Sequence, residues 1–151
     1  MNNPASNNDR IVTIKRTFQA PIELVWEAWT QPQHIASWWG PPGMDVKVEE
    51  HDLRVGGSWR YTMMMPDGNA FVSEGVYTEI VPPHRLVTTA NFRPMTEGVT
   101  LEIELASSEE GTAFTFHVIH PTVAYKEQQE KMGIYNGWGG AFDRLELFLS
   151  S

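Results

Sequence analysis

Apolar and polar residues alternate along most of the chain up to about position 120, in short runs separated by Gly, Pro, Asn and Asp. A period of two is typical of β-strands that bury one face, and the separating residues favour tight turns. Residues 66–69 have a strong hairpin-turn composition, and residues 109–111 form another turn. We therefore predict about seven strands, joined largely as hairpins: residues 10–19, 44–53, 58–65, 70–81, 85–92, 100–106 and 112–120.

Three segments show helical periodicity instead. Pro21 and Pro32 each open a short helix, the first ending near Trp29 and the second at Trp38, because proline is favoured in the first helical turn. The longest helical segment covers residues 121–151. Its apolar stripe recurs at helical spacing and consists of Trp138, Phe142, Leu145 and Leu149.

Four glycines interrupt the C-terminal helical segment: Gly133, Gly137, Gly139 and Gly140. A glycine inside a helix costs roughly 1 kcal/mol relative to alanine. Either the helix breaks near Gly133, or the helix backbone must pass close to something at these positions.

The order of the predicted elements indicates the fold class. One strand, two short helices, six strands and a long helix do not form the βαβ alternation of a parallel sheet. We predict a single α+β domain of the helix-grip kind over residues 10–151, in which a curved antiparallel sheet of six to seven strands wraps around the C-terminal helix. Residues 1–9 are predicted to be a disordered tail. Glycines in the helix favour a ligand cavity between helix and sheet.

The composition excludes several kinds of chemistry. Without Cys there is no disulfide, no thiolate nucleophile and no sulfur-ligated metal. A net charge of −8 without a local Lys/Arg cluster argues against a nucleic-acid partner. The chain lacks both a signal-peptide pattern at its start and an apolar stretch approaching the roughly 20 residues that span a bilayer. We expect a soluble, cytoplasmic protein with no cofactor.

Seven short motifs occur between residues 10 and 149. The motifs are Arg16-Thr-Phe-Gln-Ala-Pro, Val25-Trp-Glu-Ala-Trp, Trp38-Trp-Gly-Pro, Gly56-Gly-Ser-Trp-Arg-Tyr, Gly75-Val-Tyr-Thr-Glu-Ile-Val-Pro-Pro, Gly137-Trp and Asp143-Arg-Leu. With them the chain resembles the START-like, or polyketide cyclase and Bet v 1-like, superfamily, in the branch similar to the C-terminal domain of activators of the heat-shock protein 90 ATPase. The resemblance implies the helix-grip fold and assigns no catalytic residue, because the superfamily includes lipid carriers, hormone receptors, cyclases and chaperone activators.

Aromatic and Met side chains on one face of the predicted sheet and helix are the candidates for the cavity wall. Each is core-forming in its own right, but flexible Met and flat aromatic rings also suit varied apolar ligands. Glu74, Tyr77 and His117 are the polar groups placed nearest the cavity, and they would transfer protons if the site were catalytic. The predicted ligand-binding residues are Trp39, Trp59, Tyr61, Met63, Met65, Phe71, Glu74, Tyr77, His117, Trp138 and Phe142.

Three further features of the sequence bear on function. Trp38 and Trp39 with the loop 40–43 either plug one end of the gap between sheet and helix or form a mobile rim or protein-binding surface. The acidic run 49–52 is a solvated strand end or an acid/base cluster, and we favour the former. The five histidines lie in separate segments or on opposite strand faces, so we predict no metal site.

Three functions remain as hypotheses from the sequence. The first is binding or sequestration of a small hydrophobic ligand in the cavity. The second is a cyclase- or hydrolase-type enzyme that acts on a polyketide-like or aromatic substrate through Tyr77, Glu74 or His117. The third, implied only by the resemblance, is a chaperone ATPase activator-like role with a protein partner. A homodimer is also left open.

Overall fold

A computed structural model describes residues 9–39, 46–64, 67–93 and 96–150. Its strands are β1 (Ile11–Phe18), β2 (Val46–His51), β3 (Ser58–Met64), β4 (Ala70–Val81), β5 (Arg85–Arg93), β6 (Thr96–Ser108) and β7 (Gly111–Ile119). Its helices are α1 (Ile22–Thr30), α2 (Pro32–Trp38), α3 (Val123–Lys131) and α4 (Ile134–Leu149). The predicted α+β helix-grip architecture is confirmed. Most of the predicted tail, the loop 40–43 and Met65 lie outside the described residues.

The seven strands form one antiparallel sheet in the order β1-β7-β6-β5-β4-β3-β2. Hairpins connect β2 through β7, so each of these strands pairs with its neighbour in sequence. Register shifts interrupt the pairing between Val48 and Glu50, between Tyr77 and Glu79, and between Ala90 and Phe92. Such bulges bend a strand and increase its twist, and here they accompany the curvature of the sheet.

The outer face of the sheet is a charged, solvated surface. Glu74 accepts from Arg60 and Arg93, each at 3.1 Å, across β3, β4 and β5. Arg85 contacts Glu79 and Glu102 in the same way, at 3.1 Å and 3.4 Å, and also contacts the carboxylate of Glu104. Because successive side chains point to opposite faces, the residues between these charges point to the concave face and form the core.

The concave face is covered by the helices and filled with aromatic side chains. Trp38 is fully buried and donates from its indole nitrogen to the Ala28 carbonyl at 2.8 Å, which joins α2 to α1. Arg144 of α4 donates to the carbonyls of Ser37 and Trp39, both at 3.2 Å. These carbonyls lie at the end of α2, where intrahelical partners are missing. The tryptophan pair 38–39 is thus clamped between helices as a plug and does not form an exposed surface.

The C-terminal helical segment is two helices, because it breaks at Gly133. Gly133 has a φ of 92°, which L-residues with a side chain rarely adopt, and it directly precedes α4. The first of the two alternatives drawn from the glycines is therefore confirmed. β6 is also longer than the predicted 100–106, because Thr96 already pairs with Phe92 of β5.

No helix in the described part of the chain is long and apolar enough to cross a membrane.

His120 follows β7 and is completely buried. Its Nδ1 lies 3.2 Å from the Arg10 carbonyl, which can only accept, so Nδ1 carries the proton. Nε2 has no hydrogen-bond partner among the described residues. Burial lowers the pKa of His120, and Lys126 and Glu130 of α3 supply the nearby charges. The folded state therefore favours the neutral ring.

We expect the free energy of unfolding to fall as the pH drops below about 6.5, the pKa of an unfolded histidine, because the unfolded chain then binds a proton that buried His120 resists. Denaturant titrations between pH 7.5 and pH 5.5 measure this. A His120→Phe variant should lose this part of the pH dependence, whereas His117→Phe, which retains the buried ring, should keep it. Identical pH profiles for wild type and His120→Phe would contradict the assignment.

Candidate ligand-binding cavity

A cavity of about 470 Å³ lies between the concave face of the sheet and the junction of α3 with α4. The volume falls within the range of small-molecule sites, roughly 300–1,000 Å³. The deep walls are buried, and the rim at the helix junction is exposed, so the cavity opens there. The lining residues are Trp39, Met63, Phe71, Ser73, Phe92, Thr96, Val118, Gln129, Met132, Gly133, Ile134, Asn136, Gly137, Trp138, Gly140 and Ala141.

Gly137 leaves a gap in the α4 wall at the exposed rim of the cavity, because it has no side chain. Ile134, Gly137 and Ala141 are spaced three and four residues apart, so they form one stripe of the helix. All three line the cavity. A Cβ atom built on Gly137 would have no other atom within 4 Å. A larger residue in the middle of this stripe would occupy the space that is now empty.

Three aromatic rings that pack against one another form one part of the cavity wall. Trp39 stacks on Phe92 with a centroid distance of 6.3 Å and meets Trp138 edge-on at 5.8 Å. Phe92 and Trp138 are also edge-on, at 5.4 Å. Met63 and Met132 add flexible thioether side chains at two other points of the wall. The lining can therefore adapt to an apolar ligand while its aromatic walls stay packed.

The polar groups of the lining are few and uncharged. Ser73 accepts a hydrogen bond from the Trp39 indole nitrogen at 3.3 Å. Thr96 donates from Oγ1 to Oε1 of Gln129 at 2.6 Å, which joins β6 to α3. Asn136 lies at the exposed rim. Among the described residues, no Asp, Glu, Lys, Arg or His lines the cavity.

Four of the sequence-predicted site residues meet at this cavity: Trp39, Met63, Phe71 and Trp138. Phe142 is buried one turn further along α4, where it stacks on Trp138 at 5.7 Å without lining the cavity.

Trp59, Tyr61 and Tyr77 line a separate void of about 20 Å³ beneath α1 and α2. Glu74 lies on the outer face of the sheet between Arg60 and Arg93. His117 also lies there, with its Nδ1 3.0 Å from the Thr13 hydroxyl. Tyr77, Glu74 and His117 are thus in three places, and they cannot act together on one bound molecule.

His51 connects the tyrosine void to helix α1. Its Nε2 donates to the Thr30 carbonyl at 2.7 Å, and its Nδ1 accepts from the Tyr61 hydroxyl at 3.0 Å when the ring is neutral. Burial raises the pKa of Tyr77 to about 12 and that of Tyr61 further, with the neighbouring Tyr77 adding to the latter rise. Both phenols stay protonated at neutral pH. The group is a structural cap on the end of α1.

We expect Tyr61→Phe to lower the free energy of unfolding by about 1–3 kcal/mol, because it leaves the partly buried Nδ1 of His51 without a donor. Urea denaturation at pH 7 measures the change. Tyr135→Phe is the matched control, since it removes a hydroxyl that contacts Glu130 at the exposed surface. Its expected cost is within about 0.5 kcal/mol. Equal costs for the two variants would show that the His51–Tyr61 contact does not stabilise the fold.

The described residues contain no group of three or more His, Asp or Glu placed to hold a metal ion. The acidic residues of the run 49–52 are exposed at the end of β2, whereas His51 is partly buried.

The fold and the motif order agree with one protein family. A model of the family described as activator of Hsp90 ATPase homolog 1-like protein matches residues 19–150. The chain belongs to this family.

Solved structures of similar proteins cover nearly the whole chain. A protein from Nitrosomonas europaea is 32% identical, with a TM-score of 0.81 over 94% of this chain and 95% of that one. A Mycobacterium smegmatis protein is 25% identical, with a TM-score of 0.84 over 95% and 93%. The AHSA1-like protein from Aeromonas hydrophila is 26% identical, with a TM-score of 0.74 over 93% and 92%. No protein with a curated description matches.

In this member of the family, sequence reasoning missed four of the deep lining residues: Ser73, Phe92, Thr96 and Gln129. Strand alternation could have found Ser73, which lies two residues after Phe71 and so on the same face. No local pattern marks Gln129, because its partner Thr96 is 33 residues away.

Proposed function

We propose that this chain binds a small hydrophobic molecule in the cavity between α3, α4 and the sheet. The observation that carries the proposal is the cavity of about 470 Å³, lined by aromatic and aliphatic groups without a charged side chain among the described residues. Removing apolar ligand surface from water contributes roughly 25 cal/mol per Å². Proteins of this fold commonly bind hydrophobic ligands, which supports the same function here.

The geometry favours holding the molecule over transforming it. The two buried tyrosines are protonated at neutral pH and line the other void, and Glu74 and His117 are on the outer face. General acid/base catalysis needs a group within hydrogen-bond reach of the reacting atom. The polar side chains that line the cavity are neutral and do not titrate near pH 7: Ser73, Thr96, Gln129 and Asn136. We therefore propose a binding or sequestering protein.

Native mass spectrometry of the purified protein, compared with the mass under denaturing conditions, tests the proposal. We expect an apolar molecule to remain bound under native conditions and to be lost on denaturation. Leu147→Ser is the matched control, because Leu147 is an exposed apolar residue of α4 outside the cavity. Its bound mass should equal that of the wild type.

Protein purified without a ligand is titrated with naphthalene, and the fluorescence of its tryptophans is recorded, since Trp39 and Trp138 form part of the wall. Saturable quenching at one site supports the proposal. The proposal fails if no bound mass is found and quenching is absent or does not saturate. It also fails if the control substitution Leu147→Ser abolishes ligand binding.

A further inference from the structure

The Ser73 hydroxyl is buried and keeps a proton that it can donate into the cavity. Its exposed fraction is 1%, and its oxygen accepts from the Trp39 indole nitrogen at 3.3 Å. Within the described ranges no atom accepts the Ser73 hydroxyl proton. A hydroxyl that accepts one hydrogen bond can still donate its own proton. Because Ser73 lines the cavity, a bound molecule with an acceptor atom would satisfy it.

Thr96 offers a hydrogen-bond acceptor, rather than a donor, at another point of the cavity wall. Its hydroxyl proton is already engaged, because Oγ1 donates to Oε1 of Gln129 at 2.6 Å. A hydroxyl that donates once keeps lone pairs with which to accept. Both residues are buried and line the cavity. A donor on a bound molecule would therefore be matched at Thr96.

The sheet register fixes the spacing of these two groups. Ser73 pairs with Phe92 across β4 and β5, and Phe92 pairs with Thr96 across β5 and β6. The three residues thus lie in one row across three strands, with the Phe92 ring in the middle. Two inter-strand spacings separate Ser73 from Thr96 by about 10 Å. A flat molecule lying over Phe92 can reach both ends.

Binding of a charged ligand in this cavity would be unfavourable. The described lining has no cationic or anionic side chain that could pair with an ion. Transferring an unpaired ion out of water into such a site is strongly unfavourable. The cavity therefore selects neutral molecules.

We propose that the ligand is a neutral, flat aromatic of about two fused rings, with a hydrogen-bond acceptor at one end for Ser73 and a donor at the opposite end for Thr96. This inference rests on the proposed binding function and adds the ligand's class and orientation. Phe92, Trp39 and Trp138 supply the ring contacts, and the two hydroxyls set the direction.

A series of neutral naphthalenes tests the assignment by calorimetric or fluorescence titration. Naphthalene has neither group, 2-methoxynaphthalene adds an acceptor, and 6-methoxy-2-naphthol adds a donor at the far end. We expect each step to tighten binding by about three- to tenfold, the contribution of one neutral hydrogen bond. The isomer 7-methoxy-2-naphthol carries the same groups on one side and should lack the second gain. The anion 6-methoxy-2-naphthoate should bind at least tenfold more weakly than the naphthol.

Two variants assign the gains to residues. Ser73→Ala should lose the gain from the methoxy group, and Thr96→Val, which keeps the shape of the side chain, should lose the gain from the hydroxyl. The affinity of each variant for naphthalene itself is measured as the reference from which the two gains are taken. The ligand series on the wild type remains decisive if either variant does not fold.

The outcomes separate this inference from the proposed function. Equal affinity for all four neutral naphthalenes, or gains unchanged in both variants, would overturn the inference while hydrophobic binding stands. Failure of every ligand, naphthalene included, would overturn the proposed function. Tightest binding of the naphthoate would overturn the claim that the site selects neutral molecules.

Discussion

Replacing Gly137 with leucine is expected to weaken the binding of hydrophobic ligands at least tenfold while raising the free energy of unfolding. The new side chain would enter the cavity from the middle of the stripe formed by Ile134, Gly137 and Ala141, where a Cβ has no atom within 4 Å. The gain in stability follows from helix propensity, since glycine inside a helix is worse than leucine by about 0.5–1 kcal/mol. Ligand titration and urea denaturation measure the two effects.

Gly139 gives the matched control for this prediction. It lies in the same helix but outside the cavity lining, and its Cβ would make an ordinary contact with the Arg16 guanidinium at 3.7 Å. Gly139→Ala and Gly137→Ala should each raise the free energy of unfolding by about 1 kcal/mol. Ligand affinity should be unchanged in Gly139→Ala. Wild-type affinity in a folded Gly137→Leu variant would show that ligands bind elsewhere.

Trp39→Ala is expected to lower the free energy of unfolding by about 3–5 kcal/mol, as for other large-to-small changes in cores. Trp39 is 6% exposed and contacts rings from both short helices, from β3 and β5, and from α4. Its indole nitrogen also donates to Ser73. The loss is a large share of the 5–15 kcal/mol that typically stabilises a domain. Urea denaturation measures it.

Trp39→Phe separates packing from the hydrogen bond. It retains a ring but removes the donor to Ser73, so we expect a cost well below that of the alanine variant. If Trp39→Ala costs less than about 1 kcal/mol, Trp39 does not connect the helices to the sheet.

The strands and the fold class could be predicted from the sequence because their signals are local. Alternation and turn residues need only neighbouring positions, and the predicted strands overlap all seven strands found among the described residues. The break at Gly133 was one of two alternatives, and the sequence alone did not decide between them. A helix with several glycines can be broken, closely packed or bordering a cavity. Here Gly133 marks the break and Gly137 borders the cavity, whereas a Cβ on Gly139 would make only an ordinary contact with Arg16.

The location of the cavity depends on non-local contacts, which explains why only part of its lining was predicted. Apolar residues occupy both faces of β4, so the strand does not show which face is concave; alternation shows only that Glu74 lies opposite Phe71 and Ser73. The aromatic face of β3 divides between two spaces: Met63 reaches the cavity, and Tyr61 reaches the small void. The sequence of a strand does not show which helix covers each of its ends.

His51 shows the same limit for a polar residue. In sequence it lies in an acidic run that suggests a solvated strand end. Its partners Tyr61 and Thr30 are 10 and 21 residues away, on another strand and at the end of a helix. They come together only in the folded chain, where the end of α1 lies beside the end of β2.

The central claim is that hydrophobic ligands occupy the cavity between α3, α4 and the sheet, and the most direct test is a titration followed by two-dimensional ¹H–¹⁵N NMR. Each of the six tryptophans contributes one indole N–H signal. On adding naphthalene, we predict shifts of the indole signals of Trp39 and Trp138 and of the backbone signals of Gly137 and Ser73, all of which line the cavity. The indole signal of Trp26, outside the lining, should stay in place. Shifts confined to residues outside the cavity, or no saturable shift at all, would contradict the account.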